Sequence, residues 1–148
     1  MKNEFLKEAI REATKAAEMG EVPVGAVVVK KGEIIGKGHN KTEKTGDPTA
    51  HAEVLAIKSA AETLGTWRLD DCDLYVTLEP CPMCAGAIIN SRIKRVYFGA
   101  YDTKGGAASN ESVVNLFNMP FQNTPETYGG ICEKECAKLL TDFFKKQR

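Results

Sequence analysis

A layered α/β/α domain is the fold class that the sequence predicts, on three observations. Strand and helix periodicities alternate in the order strand, helix, strand, helix, strand, which suits a sheet sandwiched between helices. Residues 22–29 are almost continuously apolar, as a strand covered on both faces must be. The chain shows no internal repeat, linker or composition shift, and its 148 residues suit one domain spanning residues 1–148 with its own core.

The elements follow in order. Over residues 3–19, Phe5, Leu6, Ala9, Ile10, Ala13 and Ala17 recur at spacings of three and four, which predicts an amphipathic helix closed by Gly20. After the apolar strand, Lys30-Lys31-Gly32-Glu33 reads as a hairpin turn returning the chain along residues 34–39. Asp47-Pro48-Thr49 starts a helix over residues 50–64. Residues 74–78 form the next strand, which Pro80 ends while opening a helix that runs to about residue 91. A strand follows over residues 95–99. The region 100–130 carries the weakest pattern, with a short helix expected over residues 112–117. Residues 132–146 form the clearest helix, with Cys136, Leu139, Leu140, Phe143 and Phe144 on one stripe.

Composition narrows the function classes. A hydrophobic content of 43% and a charged content of 27% are ordinary for a globular protein and argue against disorder. Basic and acidic side chains balance at 20 each, which excludes a bulk electrostatic nucleic-acid binder but leaves room for a local patch. Lys41, Lys44, Lys145, Lys146 and Arg148 are the candidates for such a phosphate-binding rim. The longest apolar run is strand-sized and the first twenty residues hold no signal-peptide core, so neither a membrane nor export is expected. Five cysteines, an odd number, suit a reducing cytoplasm better than a disulfide framework.

Two short words carry the chemistry: His51-Ala52-Glu53 and Pro80-Cys81-Pro82-Met83-Cys84. One imidazole and two thiolates make a three-ligand zinc site, which leaves a tetrahedral position open for water. Cys81 and Cys84 are three apart and share a helix face. His51 and Glu53 are two apart, roughly 200° around a helix, and converge only if the helix points its N-terminus at the metal. Both words fall at expected helix starts, where partial positive charge and free N–H groups favour thiolate over thiol. Read singly, His-x-Glu is commonplace, and Cys-x-x-Cys is also found in redox pairs and in structural zinc knuckles. A structural site wants a fourth Cys or His, and the only other histidine is His39. Cys72, Cys132 and Cys136 read as small core or half-buried side chains, although the last two are spaced to hold a metal.

Together the two words match the H-x-E…P-C-x-x-C signature of zinc nucleobase deaminases. The chain resembles the cytidine-deaminase-like superfamily, and within it the bacterial tRNA-specific adenosine deaminases. The resemblance rests on Glu21-Val22-Pro23-Val24-Gly25-Ala26-Val27, on Asp47-Pro48-Thr49-Ala50-His51-Ala52-Glu53, and on the run from Leu74 through Glu79-Pro80-Cys81 to Ala87. Ser91-Arg92-Ile93, Phe98-Gly99-Ala100-Tyr101-Asp102 and Leu139-Leu140-Thr141-Asp142-Phe143-Phe144 extend it. It implies a five-stranded mixed sheet, a homodimer with active sites near its interface, and conversion of wobble adenosine to inosine in an arginine tRNA anticodon loop. By position it makes His51, Cys81 and Cys84 the zinc ligands and Glu53 the proton shuttle. Asn40 would bond the purine edge and Asp102 would face the ribose of the flipped nucleotide. Phe143 or Phe144 would pack near a flanking base. Backbone N–H groups near Ala52 and Cys81 would polarise the developing tetrahedral oxygen.

One stretch departs from that family pattern. Where a Gly-Ser-Leu-Met-Asn-Leu-like segment and then Phe-Asn-His are expected, this chain has Ser109-Asn110-Glu111-Ser112-Val113-Val114-Asn115-Leu116 and Phe121-Gln122-Asn123-Thr124-Pro125. Pro125 interrupts a run that should be extended. The zinc residues are untouched, so a second reading stays open: a deaminase of a free nucleobase or nucleoside such as guanine, cytosine or a modified purine. A non-catalytic zinc-stabilised interaction module is the third.

Overall fold

A mixed sheet of five strands carries the molecule, and the structure, a computed structural model, describes residues 2–147 of it. Arg148, one of the five cations expected at a phosphate-binding rim, lies outside the described residues. The strands are β1 (Gly25–Lys30), β2 (Glu33–His39), β3 (Cys72–Leu78), β4 (Arg95–Ala100) and β5 (Glu126–Tyr128), in the spatial order β2-β1-β3-β4-β5. β1 runs antiparallel to both neighbours, whereas β3, β4 and β5 are parallel. The helices are α1 (Lys2–Glu18), α2 (Thr42–Thr45), α3 (Ala52–Leu64), α4 (Pro82–Ser91) and α5 (Glu133–Lys146).

Both faces of β1 are covered, which is why its sequence is apolar throughout. Val27 and Val29 join a core with Leu6, Ala9 and Ile10 of α1, Tyr75 of β3, Tyr97 of β4 and Cys136 of α5. Ala26 and Val28 face the opposite core, with Ala52, Ala56 and Ala60 of α3 and Ala85 and Ile88 of α4. The three layers expected from the element order are therefore α1 and α5, the sheet, and α3 and α4. Lys31 and Gly32 close the β1–β2 hairpin at φ 51° and 80°, the paired left-handed values of the two-residue turn that matches strand twist.

β2 lies unusually close to α3. A Cβ on Gly36 would sit 2.5 Å from the Ala56 carbonyl oxygen, and one on Gly38 would sit 2.5 Å from that of Ala52. Only glycine on the strand and alanine on the helix let the two backbones approach so nearly.

Several boundaries differ from the sequence pattern for identifiable reasons. The first strand joins the sheet at Gly25 rather than residue 22, because Pro23 lacks an N–H and Val24 N–H bonds to the Val22 carbonyl at 2.9 Å. α3 starts at Ala52 because Asp47 draws Thr49 into a local turn, accepting its backbone N–H at 2.8 Å and its hydroxyl at 2.7 Å. The helix expected over residues 112–117 is only a 3-10 turn at Leu116–Asn118. Polar side chains there bond elsewhere: Asn115 accepts the Phe117 N–H at 3.1 Å, and Ser112 donates to Glu79 at 2.7 Å. α2 was not legible in the pattern; Glu21 holds it by accepting the backbone N–H groups of Glu43 and Lys44 at 3.1 and 2.7 Å.

β5 follows directly on Pro125, is three residues long and pairs in parallel with β4. Tyr75, Tyr97 and Tyr128 stack in register across β3, β4 and β5, with centroids 4.6 and 5.1 Å apart, and tie this edge strand to the sheet. Cys72 and Cys136 are buried and Cys132 is half-buried, as core side chains. No helix among the described residues is long and apolar enough to cross a membrane.

Candidate active site

The two sequence words meet at two helix tips. His51 occupies the N-cap of α3 and Cys81 the N-cap of α4, both with extended backbone, and neither side chain caps its own helix. Their carbonyls accept the first helical bonds, from Leu55 and Ala85 at 3.1 and 2.8 Å. At positions that Ser, Thr, Asp or Asn usually fill, this chain carries side chains that turn towards each other. His51 Nδ1 lies 3.6 Å from Cys81 Sγ and 3.5 Å from Cys84 Sγ. A tetrahedral ion about 2.0 Å from nitrogen and about 2.3 Å from sulfur holds such ligands about 3.5 Å apart. The donor set therefore fits zinc in both chemistry and spacing. Among the described residues it is the one cluster of three His, Cys or acidic groups close enough to hold a metal.

The electrostatics support thiolate at this point. Hydrogen bonds from Cys84 and His51, and from the backbone N–H of Cys84, draw the Cys81 thiol down to about 4. Cys84 is pushed up as the donor to that thiolate, and His51 is raised by its bond to Cys81. A cation gripping both sulfurs would hold both as thiolates. Glu53, one residue into α3, is only 4% exposed, and burial pushes its carboxyl up to about 7, with the Cys81 charge adding to the effect. A buried carboxyl able to take and release a proton near neutrality, beside a metal-binding triad, has what a general acid–base needs.

These groups form one wall of a cavity of about 800 Å³. His51, Glu53, Cys81, Asn40, Asp102, Phe143 and Phe144 all line it, and Cys84 joins them through the triad, so the structure brings these eight expected site residues to one place. Asn40 has a further task. Its Oδ1 accepts the Ala52 N–H at 2.9 Å, capping α3 from outside, while its Nδ2 donates to the Val22 carbonyl at 3.2 Å. The Ala52 N–H is thereby engaged, which corrects its expected part in polarising an oxygen. Asp102 accepts the Gly105 N–H through Oδ1 at 3.0 Å, leaving Oδ2 free of that bond. Phe143 and Phe144 meet edge to face at 5.4 Å, with Phe144 half exposed at the mouth.

Among the lining residues that sequence reasoning missed are two buried carboxylates, Glu21 and Glu79, each 2% exposed. Glu21 holds α2, as described above. Glu79 accepts the N–H groups of Asp102 and Ala108, both at 3.0 Å, and the hydroxyls of Ser109 and Ser112 at 3.1 and 2.7 Å. The available signal was a lone carboxylate directly after the buried stretch of β3, since a buried charge must find donors. His39 stands apart from the cluster, paired with Glu12 Oε1 at 3.0 Å.

Comparison with known proteins adds to this geometry. A family model described as MafB19-like deaminase matches residues 1–148. The tRNA-specific adenosine deaminase of Aquifex aeolicus (strain VF5) is 52% identical over 147 residues, covering 99% of this chain and 96% of that protein. Its counterpart in Bacillus subtilis (strain 168) is 50% identical over 145 residues, covering 97% and 89%. A solved structure from a study of A-to-I editing by tRNA:A34 deaminases at the wobble position superposes with a TM-score of 0.89 at 48% identity, covering 93% of this chain and 99% of that one.

Proposed function

Because the chain belongs to the MafB19-like deaminase family and, at 52% identity over nearly its full length, to the tRNA-specific adenosine deaminases, we propose that it converts the wobble adenosine of a tRNA anticodon to inosine. The observation that carries the reaction is the buried Glu53 carboxyl beside the His51–Cys81–Cys84 triad. When zinc is bound by that triad, it supplies a water activated at neutral pH. Glu53 takes the proton of that water and passes it to the ring nitrogen. It then collects the second proton, from the hydroxyl now on the ring carbon, and delivers it to the exocyclic amine, which leaves as ammonia while the carbon keeps the oxygen as a carbonyl. Asn40 has a second Nδ2 hydrogen for the purine edge, Asp102 Oδ2 is an acceptor for a ribose hydroxyl, and Phe143 and Phe144 offer faces to a flanking base.

Charge placement supports a base presented by a polynucleotide. Glu21, Glu43, Glu53, Glu79 and Asp102 line the cavity, and no Lys or Arg among the described residues does. Lys44, Lys145 and Lys146 are exposed beside lining residues. A neutral base enters such an acidic cavity while its phosphates stay outside with the lysines. The exposed Phe144 at the mouth is useful only to a substrate that extends beyond the base.

Residues 1–148 act in this reading as one deaminase domain that works as a homodimer in the cytoplasm. Support for the dimer is the exposed apolar set of Met83 on α4 and Val113, Met119 and Phe121 near the 3-10 turn that packs on α4. Support for the compartment is that all five cysteines are free. The test is inosine formation in an anticodon stem-loop with adenosine at the first anticodon position, in competition with free bases and nucleosides. Zinc-replete protein should act on the RNA; ammonia from small substrates with no inosine in any such RNA would overturn the proposal.

A further inference from the structure

Glu79 follows β3 directly and precedes Pro80-Cys81, and its carboxylate accepts four hydrogen bonds. Oε1 takes the Asp102 N–H at 3.0 Å and the Ser112 hydroxyl at 2.7 Å; Oε2 takes the Ala108 N–H at 3.0 Å and the Ser109 hydroxyl at 3.1 Å. With donors on both oxygens, the site calls for a carboxylate: an amide NH2 in its place would face a backbone N–H head on. The loop also passes so close that a Cβ on Gly106 would lie 2.5 Å from the Glu79 carboxyl carbon. Backbone bonds reinforce the seam, from Glu79 N–H to the Ala100 carbonyl at 2.9 Å and from Ala107 N–H to the Pro80 carbonyl at 2.8 Å.

Asp102 is consequently clamped on all sides but one. Glu79 holds its N–H, Gly106 N–H reaches its carbonyl at 2.7 Å, with the Ser112 oxygen, whose one hydrogen goes to Glu79 at the shorter distance, 3.1 Å away, and Gly105 N–H holds Oδ1. We propose that Glu79 is a positioning residue: a latch that fixes the 102–112 loop and aims Asp102 into the cavity. Substrate binding then depends on Glu79, while proton transfer by Glu53 does not. Both latch serines lie in the stretch that departs from the family pattern, so this chain uses its own side chains to hold the loop behind Asp102. The binding half of the proposal rests on the reading of the substrate as an anticodon loop.

The experiment uses the full chain with zinc and compares wild type, Glu79→Gln and Ser109→Ala/Ser112→Ala. Amide exchange of residues 102–112, zinc content, and kcat and KM on the stem-loop are measured together. The serine variant loses two charge-assisted hydrogen bonds and should raise KM about tenfold with kcat within about twofold and zinc unchanged. Exchange in the loop should quicken in both variants, more strongly in Glu79→Gln. A drop in kcat at constant KM, or zinc lost along with turnover in the serine variant, would overturn the positioning role. Unchanged exchange overturns the latch whatever the substrate. Failure of wild type on RNA condemns the substrate reading instead, and is told apart because the exchange arm needs no substrate.

Discussion

The floor of the cavity and the 102–112 loop that carries its Asp102 wall are built by opposite means. The floor is made from the ends of regular elements: His51 and Cys81 are N-caps, and their positions follow from where α3 and α4 meet the sheet. The wall has almost no regular structure, and a single buried carboxylate gathers it through four hydrogen bonds. Chemistry that must align four groups to within a fraction of an ångström is mounted on rigid backbone. Asp102, by contrast, sits on a loop whose shape depends on a few side chains, where sequence can change without disturbing the triad.

Perturbing the floor should abolish function. Cys84→Ala removes a ligand from the 0% exposed side of the triad and should lose bound zinc, all measurable turnover and about 5 °C or more of thermal midpoint. Metal analysis showing stoichiometric zinc in that variant would mean a different ligand set. Next in size, Glu53→Gln should keep zinc and fold but lower kcat by about 10³-fold; turnover near wild type would reject the shuttle. The wall should respond more mildly. Asp102→Ala should raise KM for the stem-loop about five- to tenfold with little change in kcat, the size expected for one polar contact, and steady-state kinetics will show whether the split holds. Val113→Ser, at a side chain 71% exposed, should leave stability within about 0.5 kcal/mol while weakening self-association measured by sedimentation.

The smallest effect is expected outside both regions. Burial pushes the Glu12 carboxyl up, but hydrogen bonds with His39 and Lys15 outweigh it and hold the group below its ordinary 4.5. A depressed carboxyl stabilises the fold above its unfolded value and loses that contribution as pH falls through the folded one. Glu12→Gln should therefore flatten the loss of stability below about pH 4.5, read from denaturant midpoints across pH. An unchanged acid limb would deny the pair any part in it.

The same contrast explains what could be read from the sequence. The layers, the hairpin turn and the long helices were legible because each repeats an apolar period over many residues, and the triad because its spacing is tied to helix geometry. α2, four residues long, and β5, three residues long, carry no period at all. The first is held by Glu21 from another part of the chain and the second by the stacking of Tyr128 on Tyr97. The helix expected over residues 112–117 failed in part for a related reason: Ser112 answers to Glu79, outside any local window, while Asn115 turns back on Phe117 and Asn110. Asn40 was found as a cavity residue, but its capping of α3 through Ala52 depends on a contact twelve positions away.

The seating of Gly36 and Gly38 against Ala52, Ala56 and Ala60 reaches further than packing. α3 is about 20 Å long at 1.5 Å per residue, and its tip bears both His51 and Glu53. A single methyl group added at Gly38 would lever that tip, and a displacement of about 1 Å at reacting groups costs on the order of a hundredfold in rate. The mutational target for inactivating this protein thus extends to strand positions with no functional group of their own. Drift at those glycines would be read in an assay as a catalytic lesion, although every reacting side chain was intact.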